Sequence, residues 1–343
     1  MKLGGLPAVQ NQWLALRRAV GWIPIRLRRS RLSKPKRWLC TLRWGSVSLL
    51  ATLSAGAAAH ATHAADATGA RIPWTFEPWE IGCLALSAGL YAVGLVRLWH
   101  RAGVGRGVQV GQVAAFVAGW LAIVAALVSP LDALADDLFA AHMVEHELLM
   151  IVAAPLLVLG RPLAAWVWAF PAPVRAALGA FFHRPGWRIP WLVVTGPVAA
   201  WILHALALWL WHLPALFDAA LENEAVHAFQ HICFLGTALV FWWSVLGVGT
   251  RHERGVALLS LFTTMVHTGA LGALLTLATV VWYPDYRASA PAWGLTPLED
   301  QQLGGIIMWV PAGLVYIAAG LVMAGRWLAE PPRARTGAGR ARA

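Results

Sequence analysis

The run Met150–Gly160, MIVAAPLLVLG, carries no charged side chain, and it belongs to one of seven apolar stretches in the chain. The stretches cover approximately 81–99, 110–129, 139–160, 191–213, 223–248, 255–281 and 302–326. Each approaches or exceeds the roughly 20 residues of helix that cross the hydrocarbon of a bilayer. A segment in hydrocarbon must satisfy its own backbone N–H and C=O groups, which leaves helices as the workable form for such runs. Only 13% of the residues are charged, about half the share found in soluble domains. The 21 tryptophans suit helix ends at the headgroups of a lipid bilayer. The expectation is an all-α membrane protein, a bundle of seven transmembrane helices over residues 66–328. The segment 163–189, with Pro171, Pro173, Arg175, Arg184 and Arg188, is too polar to span and reads as an interfacial loop with a short amphipathic helix.

The net charge of +11 does not point to nucleic acid. Eleven of the 27 lysines and arginines lie in the first 43 residues, and most others sit in short loops between apolar runs. That is a topology signal and not a basic groove. With the mature N-terminus outside, the inner loops hold Arg97, Arg101 and Arg106, then Arg161, Arg175, Arg184 and Arg188, then Arg251 and Arg254. The outer loops LDALADD and PALFDAALE hold no basic residue, and the 282–300 loop holds only Arg287. The bias predicts an N-out, C-in arrangement, ending in a basic cytoplasmic tail at 329–343. Residues 1–65 join a long basic region to VSLLATLSAGAAAHATHAA, which reads as a secretory signal peptide, with an uncleaved signal anchor as the alternative. Cys40, Cys83 and Cys233 form neither a disulfide framework nor a CxxC pair.

Against this apolar background the histidines are conspicuous, because an ionisable group at membrane depth costs about 2.5–3.5 kcal/mol on insertion scales. His142 and His146 are four apart and so share a helix face, with Glu145 on the same stripe. Under the expected orientation His146 lies roughly 10 Å below the outer boundary, at 1.5 Å per residue. His227 and His231 repeat the spacing on the fifth span. The fourth span puts His212 at the outer rim, as an entrance, and His204 about 13 Å down. His267 on the sixth span and Met308 on the seventh complete a set of borderline and soft ligands in the outer half of the bundle. Imidazole with thioether suits copper; imidazole alone suits zinc or haem iron. Glu145 would act from outside the ligand set, fixing the tautomer of a ligating His. The other reading is that these histidines only hydrogen-bond across helices.

His142-Met143-Val144-Glu145-His146 also spells the HxxEH of the inverzincin proteases, with Glu222 or Glu224 as a conceivable third zinc ligand. Those enzymes are soluble domains, whereas this motif opens a spanning helix, so no hydrolase is expected.

The stretch SPLDALADDLFAAHMVEHELLMIVAAPLLVLGRPL (129–163) resembles the signature of the multi-span CtaG-type cytochrome c oxidase assembly factors. The resemblance continues through WHLPALFDAAL, HAFQHICFLGTALVFWW and LEDQQLGGIIMWVPAGLVY. It covers nearly all of the chain after residue 65. It implies a non-enzymatic protein of the bacterial inner membrane that helps to make active haem-copper oxidase. Its partners would be the oxidase catalytic subunit and periplasmic copper chaperones, and copper would be its cargo. A haem held between His-bearing helices, as in membrane cytochromes b, is the competing expectation, and a scaffold without metal is the third.

Overall fold

In the computed structural model the described residues are 72–247 and 251–329. The signal-like segment and the tail beyond residue 329 lie outside them. Among the described residues there is no strand. Twelve helices are used below. Helices α1 (Pro78–Ala102) and α2 (Val110–Leu127) lead through short α3 (Pro130–Ala135) to α4 (Phe139–Gly160). Helices α5 (Pro162–Trp168), α6 (Ala172–Phe182) and α7 (Pro185–Val194) come next, then α8 (Pro197–Trp211) and α9 (Pro214–Glu222). Helices α10 (Glu224–Leu246), α11 (Arg251–Thr276) and α12 (Pro297–Leu328) complete the bundle, the last two joined by a loop containing two 3₁₀ turns.

Among the described residues, six helices are long and apolar enough to cross a membrane: α1, α2, α4, α10, α11 and α12. The chain is a multi-pass membrane protein. The stretch expected as the fourth span differs, because α7 and α8 meet at a bend of 66°. The sequence Thr195-Gly196-Pro197 explains the break. Thr195 Oγ1 donates to the carbonyl of Trp191 at 2.7 Å, and Pro197 opens α8 without an N–H to offer the preceding turn. The segment 163–189 is also more differentiated than one interfacial loop. Its first helix, α5, lies along α1, where Trp166 Nε1 donates to the carbonyl of Ser87 at 3.0 Å. A Cβ on Gly94 would stand only 1.9 Å from the Ala165 carbonyl oxygen, so α1 and α5 can meet this closely only at a glycine. Helix α6 buries no residue.

Helix α4 is the axis of the bundle. Of its apolar stretch 61% is buried, against 22% for α2 and α12. It is not a regular α-helix throughout, since Leu148–Ala153 form a π-helical turn. Pro155 follows that turn, and a proline ring inside a helix clashes with the carbonyl four residues back. The widened turn accommodates it. Trp242 Nε1 on α10 donates to the carbonyl of Met150 at 3.0 Å, inside the widened stretch. Around and beyond the turn, Met150, Phe234, Phe241, Trp242, Leu261 and Tyr316 form the main core between α4, α10, α11 and α12.

The stretch Asp300–Gly305, DQQLGG, docks α12 to its neighbours. The Asp300 carboxylate accepts from Phe139 N at 2.8 Å and Ala140 N at 2.9 Å, capping the first turn of α4. Gln301 accepts from Trp282 N at 2.6 Å, and Gln302 donates to the Ala278 carbonyl at 2.9 Å. A Cβ on Gly304 would stand 2.4 Å from the Phe139 ring, and one on Gly305 would stand 2.6 Å from Thr276 N. These contacts fix the height of α4, and with it the height of His142 and His146.

Candidate metal centre

His142 and His146 sit in the second and third turns of α4, where Asp300 sets the helix start. Both are fully enclosed. Their rings meet edge to face, with centroids 4.3 Å apart. Across from them on α10, the rings of His227 and His231 are also 4.3 Å apart. The two pairs interlock: His142 lies 5.1 Å from His227 and His146 lies 5.4 Å from His231, centroid to centroid. His212, at the end of α8, joins from above with its ring 6.2 Å from that of His146. Ligand atoms of His142, His146 and His231 fall within 4.8 Å of one another, as do those of His142, Glu145 and His227. The i,i+4 spacing produces this directly, since each pair presents two imidazoles on one face.

Hydrogen bonds decide which ring nitrogens face the middle. Tyr286 Oη donates to the carbonyl of Ala135 at 3.1 Å and lies 3.3 Å from His142 Nδ1. A carbonyl can only accept, so the single phenolic proton points at Ala135, and His142 Nδ1 must be the donor toward Tyr286. Burial, with the carboxyl groups of Asp300 and Asp136 adding, pushes the Tyr286 phenol well above its ordinary range and keeps that proton in place. His212 Nδ1 lies 2.7 Å from the carbonyl of Leu208 and is likewise a donor. Both neutral rings therefore turn an Nε2 lone pair inward.

Those lone pairs are left without a hydrogen bond. His142 Nε2, His212 Nε2, His227 Nε2, both nitrogens of His146 and both oxygens of Glu145 are buried and have no hydrogen-bond partner. An unmet buried polar atom costs about 1–3 kcal/mol, and here several face one another. Five imidazoles so close, four of them buried, cannot all be charged. A cation taking lone pairs from several rings removes the cost in one step. Glu145 Oε1 stands 3.3 Å from His231 Nε2, close enough to orient that ring or to balance an ion's charge. The residues present fit a borderline or soft metal ion.

Residues 89–330 match the model of a family described as cytochrome c oxidase caa3 assembly factor, Caa3_CtaG. The chain belongs to this family. It is 29% identical over 274 residues to an uncharacterized protein of Mycobacterium leprae, covering 76% of this chain and 40% of that one. It is 27% identical over 275 residues to uncharacterized proteins of Mycobacterium bovis and Mycobacterium tuberculosis. The chain spans about 40% of the length of the curated relatives it matches. No solved structure matches it.

Within this Caa3_CtaG chain, the remaining expected ligands fall elsewhere. Met308 is packed with Phe139, Met143, Phe217 and Tyr283, forming a wall of the centre and not one of its grouped ligands. His204 and His267 lie lower, on α8 and α11, away from the five imidazoles. His212 is no open entrance: it is 4% exposed, and Tyr283 closes over it by donating to its carbonyl at 2.8 Å. The half-buried imidazole is that of His227. Glu222 and Glu224 are both exposed, so the protease-like reading lacks its third ligand. Cys233 is half-buried and packs against the main core.

Two contributors escaped the sequence reading. Tyr286 comes from a loop 144 residues away from His142 and carries no local signal. Gln230 is fully buried, with its amide beside the His142 ring. Its place three residues after His227, on the inward face of α10, was the available signal.

Proposed function

We propose that this family member holds copper at the centre formed by His142, His146, His227, His231 and His212, and assists its delivery to the catalytic subunit of a haem-copper oxidase. The single observation behind this reading is the convergence of buried imidazole nitrogens that have no hydrogen bond. Cu(I) accepts few, soft or borderline ligands, and a site that must release its ion need not be closed by a rigid set of four. Ring contacts favour an ion over a haem: Phe234 lies 4.5 Å from His146 and Phe217 5.0 Å from His142, centroid to centroid. A macrocycle would have to displace both, whereas an ion would not.

In this reading α7 and α8 together make a seventh, bent crossing. The protein sits in the bacterial inner membrane with its N-terminus outside, and the centre lies in the outer half. A periplasm-active reporter fused after Ala220 is expected to be active, and one fused after Arg251 silent; the opposite pattern would place the centre on the inner side. Periplasmic copper chaperones are the natural donors on the outer side. Removing the gene is expected to leave the host's oxidase assembled but short of copper in its catalytic subunit, and inactive. An oxidase with its full copper content in such a strain would contradict delivery.

A further inference from the structure

We propose that His204 and His267 form a second, two-imidazole Cu(I) site beneath the first, so that the chain carries an ion in two stages. This rests on the copper reading above and adds to it. His204 is buried, at 1% exposure, and its ring orientation is fixed. Its Nδ1 lies 3.2 Å from Thr237 Oγ1, while Thr237 Oγ1 donates to the carbonyl of Cys233 at 2.7 Å. The threonine proton is engaged with a group that can only accept, so His204 Nδ1 is the donor and Nε2 keeps its lone pair. That Nε2 has no hydrogen-bond partner.

His267 on α11 has no partner at either ring nitrogen, although both are buried. Its ring packs edge-on against Trp201, centroids 5.7 Å apart. Trp201 is three residues before His204 on α8, so it lies on the same side of that helix. The two histidines thus address one seam between α8 and α11. Phe241 stacks on His204 at 5.3 Å and closes the apolar side of the seam. Trp201 Nε1 is also buried without a partner. His204 brings one free Nε2 to this seam and His267 one further lone pair on its unmet ring, so the pair repeats on a smaller scale the chemistry of the upper centre. His204 lies eight residues before His212 on the same rising chain, about 12 Å along its axis at 1.5 Å per residue. A pair of neutral nitrogen donors matches the low coordination number that Cu(I) accepts and holds an ion less firmly than a larger set.

The test is copper stoichiometry of the full chain in detergent, loaded with Cu(I) under reducing conditions and then freed of excess copper. The wild type is expected to keep two equivalents. The double variant His204→Gln, His267→Gln should keep one, and His146→Ala with His231→Ala should keep the other. A wild type that holds one equivalent, unchanged by the lower substitutions, overturns the second site and leaves the upper one standing. A wild type that holds none overturns both. Two equivalents retained by the lower variant also overturn it. So does loss of both ions from the lower variant, because these residues would then be supports of the upper centre.

Discussion

A chain carrying His146→Ala together with His231→Ala is expected to lose the copper of the upper centre and to leave the host's oxidase inactive, while still accumulating in the membrane. The first half follows from the ring positions. His146 and His231 lie 5.4 Å apart and share with His142 the grouping in which ligand nitrogens fall within 4.8 Å of one another. Removing two of these three leaves His142, His227 and His212 on three separate helices. Loss of a partner that merely orients a ligand costs about 10–100-fold in metal affinity, so loss of two ligands should exceed that range. The second half follows from the same unmet atoms. Neither nitrogen of His146 makes a hydrogen bond in the folded chain, so its removal breaks no network. The expense is a cavity, and His→Leu at both positions is the control that fills it. Copper content, oxidase activity and protein level measured on the same membranes separate the outcomes. Wild-type copper and wild-type activity in the double variant would make these histidines packing groups.

The i,i+4 pairs were legible in the sequence because spacing along one helix fixes a face. Height along each helix was legible too, since it needs only the rise per residue. Direction around the bundle was not. His204, His267 and Met308 were placed with the others by depth, yet depth does not tell which seam a residue faces. The packing of α12 turns Met308 toward Phe139 and Tyr283, and α8 turns His204 toward Thr237. The break at Thr195-Gly196-Pro197 was written in the sequence but was overridden by the continuous apolar pattern on either side. Contacts from the loop between α11 and α12, such as Tyr286 on His142, depend on tertiary placement and leave no periodic trace.

The second large effect is expected at Asp300, which touches none of the histidines. Its carboxylate accepts from Phe139 N and Ala140 N and is fully buried. Asp300→Ala leaves two enclosed N–H groups without a partner, at about 1–3 kcal/mol each. It also removes a negative group from the N-terminus of the helix that carries His142 and His146. A combined loss of about 2–6 kcal/mol is a large part of the 5–15 kcal/mol that holds a typical domain folded. The variant should melt far below the wild type in detergent and reach the membrane in reduced amount. Asp300→Asn keeps one acceptor oxygen and should recover part of the difference. An Asp300→Ala protein with the wild-type melting temperature would show that α4 is positioned by other contacts.

The proposed role of this protein stands or falls on whether the imidazole cluster holds an ion. Metal and haem analysis of the detergent-purified wild-type chain, by elemental analysis and absorption spectrum on one sample, tests it most directly. Copper bound in proportion to protein, with no Soret band, is the result this structure leads us to expect. A Soret band, or protein that retains no copper after loading with Cu(I), would contradict it.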